Sequence, residues 1–255
     1  MIRSILDAPV LVAERRKRIL VAADLHLGIE HELRRSGVTI PSQTEKLFNR
    51  LLDHMGQTDP DRLLLLGDIR HNIPWISHQE AGEIPKFLGK LARHVPIDIV
   101  PGNHDGGMHS LIPSDADITF HPSKGIVMDG VGYFHGHTWP SADVLSVERV
   151  LVAHNHPMVR FVDSLGHVSI EPAWILATLD ADVLLKRYKS IKTKEVMVMP
   201  AFNELCGGTS FNTSTPKTLL GPIFTSGAIG LEEAEVYLLD GTHIGKIKDL
   251  RRLGE

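Results

Sequence analysis

Five times along this chain a short aliphatic run ends in residues that can bind a metal or move a proton. Ile19-Leu20-Val21-Ala22-Ala23 runs into Asp24-Leu25-His26, and Leu63 to Leu66 runs into Gly67-Asp68. Ile97 to Val100 leads through Pro101 into Gly102-Asn103-His104-Asp105. Val131 to Phe134 is followed by His135-Gly136-His137, and Val150 to Ala153 by His154-Asn155-His156. Runs this short, rich in Val, Ile and Leu, read as strands buried on both faces. In open α/β sheets ligands gather at the carboxyl ends of strands, so residues far apart in sequence can converge there. The recurrence therefore predicts an α/β fold with one site assembled from several strand ends.

Between the first three runs the pattern turns helical, which implies strand-helix-strand units and a largely parallel start to the sheet. Pro41 precedes Ser42-Gln43-Thr44-Glu45, which has the form of a capping box, and Phe48, Leu51, Leu52 and Met55 follow at helical spacing. A second helix is expected to begin at Pro85, with Ile84, Phe87, Leu88 and Leu91 facing inward, and a third to follow Pro172. Later, Val196 to Met199 and Glu235 to Leu239 read as strands, and Asp240-Gly241 before His243-Ile244-Gly245 is a hairpin signal. No repeat or low-complexity linker interrupts the pattern, so a single domain over residues 1–255 is expected.

Composition narrows the function. A single cysteine, Cys206, rules out an intramolecular disulfide framework and a cysteine-rich zinc site, and it reads as an inert small side chain. Neither a secretory signal nor a run of roughly 18 apolar residues is legible, so a cytoplasmic protein with no membrane span is expected. The formal charge of −4 excludes nucleic-acid binding by global electrostatics. A grip on nucleic acid would need a local surface or a partner protein. The basic stretch Lys186-Arg187-Tyr188-Lys189, continued by Lys192 and Lys194, reads as a charged helix end or as a backbone-tracking patch. Arg15 to Arg18 reads as a solvated turn.

The residues at the strand ends are carboxylate, imidazole and amide, the donors that divalent ions which activate water prefer. Asp24 and His26 flank Leu25, so in an extended segment both point to one side. His154 and His156 have the same spacing. Asp68 follows a glycine that allows close backbone approach, and its two oxygens could bridge two ions; Asn103 offers a carbonyl oxygen.

The order Asp24-x-His26, Gly67-Asp68, Gly102-Asn103-His104-Asp105, His135-Gly136 and His154-x-His156 resembles the calcineurin-like metallophosphoesterase superfamily. Asp24-Leu25-His26-Leu27-Gly28, Gly67-Asp68-Ile69-Arg70-His71 and Pro200-Ala201-Phe202-Asn203 resemble, more narrowly, an archaeal and bacterial group related to repair nucleases, ligase-associated endonucleases included. The resemblance implies a four-layer α/β/β/α sandwich of two facing sheets and a dinuclear-metal-dependent phosphoesterase. By it, Asp24, His26, Asp68 and His156 would hold one ion, and Asp68, Asn103, His135 and His154 the other. His104 would protonate the leaving alkoxide or bind the phosphate. Metal-activated water would be the nucleophile, with Mn²⁺ foremost among ions that include Fe, Zn²⁺ and Ni²⁺. The implied substrate is a phosphodiester in nucleic acid, with a helicase or ligase as partner. A phosphomonoesterase, a nucleotide phosphodiesterase and a non-catalytic scaffold of the same fold are the alternatives.

Two positions depart from the superfamily pattern: His71 stands where a second aspartate is usual, and Ala153 where glycine is usual. His71 is then either a partner of the site or a loop histidine, and what orients His104 is open, Asp105 being one candidate. Either histidine of His135-Gly136-His137 could reach a metal, and the family ligand is the one before the glycine. Arg70 reads as a phosphate ligand or a surface ion pair. Phe202 reads as core and Asn203 as a turn residue.

Overall fold

Every one of the aliphatic runs forms a strand in the computed structural model of the chain, which describes residues 1–254. Strands β1 (Ile2–Ser4), β2 (Val10–Glu14), β3 (Arg18–Ala22), β4 (Arg62–Leu66), β5 (Ile97–Val100) and β6 (Ile118–Phe120) lie in that order in one sheet. From β3 to β6 the neighbours are parallel, while β1 and β2 add on antiparallel. Helices α1 (Ile29–Arg35) and α2 (Thr44–Thr58) connect β3 to β4, and α3 (His78–Ala92) connects β4 to β5.

A second sheet takes β7 (Ile126–Met128), β8 (Val131–Phe134), β9 (Arg149–Val152), β10 (Pro157–Val162), β11 (Val168–Ala177), β12 (Glu195–Val198) and β13 (Thr209–Ser210) in the order β13-β10-β11-β12-β9-β8-β7. The hairpin β14 (Glu235–Leu238) and β15 (His243–Lys246) joins it along β11. Strands β8, β9 and β12, which end near the candidate residues, are mutually parallel.

Three separate cores define the layers. Leu20, Leu63, Leu65, Ile97 and Ile99 of the first sheet pack on Leu47, Phe48 and Leu51 of α2 and on Ile84, Phe87 and Leu88 of α3. From the opposite face of the same strands, Ile19, Val21, Leu64, Leu66 and Val100 meet Tyr133, Leu151 and Trp174 of the second sheet, with Met199 just past β12. The far face of that sheet, with Phe134, Val152, Ile175 and Val198, is covered by Leu184 of a short helix, α4 (Ala181–Leu185), and by Phe211, Ile223 and Phe224. The order is thus helices, sheet, sheet, helices. Strand alternation does this directly: Leu63 and Leu65 face helix, Leu64 and Leu66 face sheet. Each such side chain contributes about 1.5–3 kcal/mol on burial.

Several local expectations are corrected. Ser42 and Glu45 do not form a capping box: α2 begins at Thr44, and its Gln43 N–H is taken by Glu30 Oε1 of α1 at 2.5 Å. Ser42 Oγ instead donates to Glu83 Oε2 (2.8 Å), and Glu45 pairs with Lys90 (3.0 Å). Helix α3 starts at His78 rather than Pro85, because Ser77 and Glu80 make the real box: Ser77 Oγ accepts from Glu80 N at 3.2 Å, and Glu80 Oε2 from Ser77 N at 2.7 Å. Pro85 lies inside the helix. No helix follows Pro172, which sits within β11 opposite Met158. There β11 changes partners, from β10 up to Pro172 to β14 from Ala173, and a residue with no N–H is tolerated at the changeover. The basic stretch after α4 is a helix end, with Lys186 at its C-cap and the Arg187 guanidinium 4.9 Å from the Trp139 ring centre. Among the described residues no helix is long and apolar enough to cross a membrane.

Replacing the cap, Ser77→Ala, is expected to lower stability by about 1 kcal/mol. A shift of the urea midpoint at unchanged slope would measure it.

Candidate metal centre

Asp24 follows β3, Asp68 follows β4, His104 follows β5, His135 follows β8, and His154 and His156 follow β9. The facing sheets bring these ends together. His135 lies 3.7 Å from Asp24 Oδ1 through Nδ1 and 3.3 Å from Asp68 Oδ2 through Nε2. His156 Nε2 is 3.3 Å from Asp24 Oδ1, and His26 Nε2 is 3.7 Å from Asp68 Oδ2. Asp24, His26, Asp68 and His135 are all buried.

The backbone that delivers them is unusual. Asp24 (φ 55°), His26 (φ 43°), Asp68 (φ 49°), His154 (φ 74°) and His156 (φ 42°) all occupy the left-handed region. For a non-glycine residue that conformation costs roughly 1–2 kcal/mol, so the surroundings must hold it. Asp24 and His26 therefore converge through left-handed turns, not through the alternation of an extended strand. Asp24 N–H donates to Gly67 O (3.0 Å), His26 N–H to Asp68 O (2.9 Å) and Leu27 N–H to Ile69 O (2.8 Å), which ties the first loop to the second. From the other side Phe202 N–H reaches Ala23 O (2.8 Å), and Asn203 gives its side-chain amide to Leu25 O (2.8 Å). The Pro200 to Asn203 segment is thus a clasp on the Asp24 loop, with Phe202 in the core as expected. Two glycines make room: a Cβ on Gly67 would overlap the His135 ring, and one on Gly102 the Asp68 carboxylate.

Hydrogen bonds fix which ring nitrogen of His26, His104, His135 and His156 faces the cluster. Nδ1–H of His135 donates to Leu66 O (3.1 Å), that of His156 to Gly207 O (2.8 Å) and that of His104 to His71 O (2.5 Å). In each case Nε2 is left to the site. His26 is held differently: its Nδ1 is 3.1 Å from Nδ1 of His71, whose Nε2 is 2.5 Å from Glu32 Oε2. Glu32 accepting from His71 Nε2–H, and His71 Nδ1 accepting from His26 Nδ1–H, leave the His26 Nε2 lone pair free. His71 thus belongs to the site twice over, its ring setting His26 and its carbonyl setting His104. Sequence reading missed Glu32, an exposed carboxylate of α1 just past the first motif and 39 residues from the His71 it pairs with.

Asp105 is not the partner of His104. Its carboxylate accepts from Ile69 N (2.9 Å), Arg70 N (3.3 Å) and Gly102 N (2.8 Å), stapling the second and third loops together. Burial, with the Asp68 charge nearby, pushes its carboxyl up to about 6. Arg70 is neither a phosphate ligand nor a surface ion pair. It is 1% exposed, and its guanidinium donates to the carbonyls of Gly106 (3.1 Å), Asn72, Pro74 and Trp75 (3.2 Å). Asn103 is exposed between Gly102 and His104, whose N–H donates to Asp68 Oδ1 (2.9 Å).

Donor atoms of Asp24, His26 and Asp68 lie within 4.8 Å of one another, as do those of Asp68, His135 and His154. Asp68 is common to both groups, and His137 enters neither. Asp24 Oδ1 and the Nε2 atoms of His26, His135 and His156 are buried with no hydrogen-bond partner. Buried polar atoms are normally satisfied, so converging orphans of this kind suit a cation. Electrostatics agree. Burial works against the Asp68 charge, but His135, His26 and His104 outweigh it and hold its carboxyl well below the usual range. Burial drives His26 down to about 3, and His154 and His137 down to about 4, keeping them neutral and able to ligate. For His135 burial is overcome by Asp68 and Asp24, which lift it to about 9. The ion pairs of both carboxylates are with histidine alone among the described residues. The donor set fits divalent metal ions.

A family model described as calcineurin-like phosphoesterase matches residues 17–200. The chain belongs to that family. Among solved structures it is similar to the nuclease MPE of Pseudomonas putida, with TM-score 0.54 and 19% identity over 94% of this chain and 98% of that one. A second similar structure is YfcE, a phosphoesterase from E. coli, with TM-score 0.42 and 15% identity over 89% of this chain and 97% of that one. Phosphoester hydrolysis assisted by divalent metal ions is the family's chemistry, and this calcineurin-like chain carries the donors for it.

Because Glu32 is exposed and acts through His71, Glu32→Ala is expected to leave the fold intact. Since Glu32 reaches the ligand His26 only through His71, metal affinity should fall by less than the roughly 10–100-fold seen when the direct partner of a ligating histidine is removed. Calorimetric titration with Mn²⁺ reads this out, and unchanged affinity would contradict it.

Proposed function

We propose that the chain is a dinuclear-metal-dependent phosphodiesterase acting on nucleic acid. The observation that carries the dinuclear part is the pair of donor groups that share Asp68. In this reading Asp24, His26, Asp68 and His156 hold one ion, and Asp68, Asn103, His135 and His154 the other. When bound, such ions supply Lewis acidity to the phosphate and activate water near neutral pH.

The protein's own residues do the rest. Left-handed turns at Asp24, His26, Asp68, His154 and His156 set the donors before substrate arrives, so little reorganisation is left to the reaction. His104 is the acid. With its Nδ1–H committed to His71 O, the ring can rotate little, and a proton carried on Nε2 is directed to the leaving oxygen. Its ring packs at 4.8 Å from that of His26 and is stacked on that of His71 at 5.6 Å, which keeps it beside the donor cluster. Support for a diester in nucleic acid comes from the narrower motif resemblance and from a fold shared with a nuclease.

Purified protein supplied with Mn²⁺ is expected to cleave a generic aryl phosphodiester and oligonucleotides, and Asp68→Asn to abolish both activities. Activity confined to monoesters would overturn the nuclease reading. His104→Asn is expected to slow oligonucleotide cleavage by about 10²–10⁴-fold. It should slow nitrophenyl ester cleavage much less, because that leaving group needs no proton. Equal loss on both substrates would remove His104 from the acid role.

A further inference from the structure

The lone cysteine is not a remote core residue. Cys206 follows the clasp segment, its N–H bonded to Asn203 O at 3.0 Å and its Sγ 3.9 Å from Asp24 O. Its sulfur, a donor nitrogen of His26 and one of His156 lie within 4.8 Å of one another. His26 is 4% exposed, and the Nε2 atoms of both histidines are buried without a hydrogen-bond partner. Their Nδ1 atoms are committed, to His71 and to Gly207 O, so Nε2 is the atom each offers.

The loop bearing Cys206 is pinned to both ligand loops. Asn203 N–H reaches Asp24 O (3.3 Å) before it, and Thr209 N–H reaches His156 O (3.1 Å) after it. Between them, Gly208 packs so closely on His156 that a Cβ there would overlap its carbonyl. Such a loop cannot drift away from the histidines without breaking their support. A cavity of about 280 Å³, lined by His156, Asn203, Arg50 and Cys206 among others, opens beside the sulfur, so small reagents can reach it.

We propose that Cys206 is a further ligand, with His26 and His156, to the ion on the Asp24 side of the site. On coordination the thiol proton leaves to solvent and the sulfur binds as thiolate. A soft donor added to imidazole and carboxylate shifts this position toward zinc, cobalt or ferrous iron relative to manganese. The two halves of the site then differ in metal preference, because the group of Asp68, His135 and His154 has no sulfur. The proposal rests on the reading of the cluster as a metal centre.

Cobalt(II) tests it by a readout independent of catalysis. The cobalt-loaded full chain is expected to show a near-ultraviolet sulfur-to-cobalt charge-transfer band, absent in Cys206→Ser loaded to the same cobalt content. In the same variant zinc affinity should fall by about tenfold or more while manganese affinity changes much less. A thiol reagent should label Cys206 faster in chelator-treated protein than in metal-loaded protein. Bound cobalt without the band, or labelling equally fast with and without metal, would overturn the proposal and leave the metal centre standing. A wild-type chain that binds no cobalt would overturn both. Should Cys206→Ser fail to fold, the wild-type band and labelling rates still decide.

Discussion

Two carboxylates, Asp24 and Asp68, lie inside this protein with histidines as their only ion-pair partners among the described residues. Buried charge is tolerable only when compensated, and the surrounding structure supplies that compensation. Asp24 ends a strand of one sheet yet meets His135 and His156 from the other, so the facing of the sheets and the pairing of charges are one arrangement. The apolar seam between the sheets, Leu64 and Leu66 against Tyr133 and Leu151, ends where this charged cluster begins.

Holding the cluster falls to residues that never touch it through their side chains. Asp105 ties the second loop to the third, Arg70 stiffens the chain from Asn72 to Trp75, and Asn203 clasps the first. Asp105 and Asn203 satisfy backbone groups beside the left-handed turns that would otherwise lack partners, which helps strain at those donors to persist. His71, by contrast, meets the cluster directly and orients two of its histidines, His26 through its ring and His104 through its carbonyl.

The strands and their terminal residues were legible because burial on both faces demands continuous aliphatic runs, and the break from such a run into ligand-type residues, as at Leu63 to Leu66 into Gly67-Asp68, recurs five times. Helix starts were less legible because capping is a competition. Ser42 has the right sequence for a box, but Glu30 reaches the Gln43 N–H first, and Ser77-x-x-Glu80 wins a start that Pro85 seemed to own. Pro172 misled for a related reason, since its lack of an N–H suits a strand that is changing partners as well as it suits a first helical turn. Within the site, residue types announced the donors but not their supports. Glu32, the buried role of Arg70 and the place of Cys206 beside His26 depend on contacts between segments far apart in sequence, which no local pattern encodes.

In the proposed dinuclear site Asp68 would stand between two metal ions, which anomalous diffraction from crystals grown with Mn²⁺, recorded on either side of the manganese absorption edge, can show. Two anomalous peaks are expected to flank the Asp68 carboxylate, one toward Asp24, His26 and His156 and the other toward His135 and His154. A single peak, or peaks that leave Asp68 outside the coordination of either ion, would contradict it.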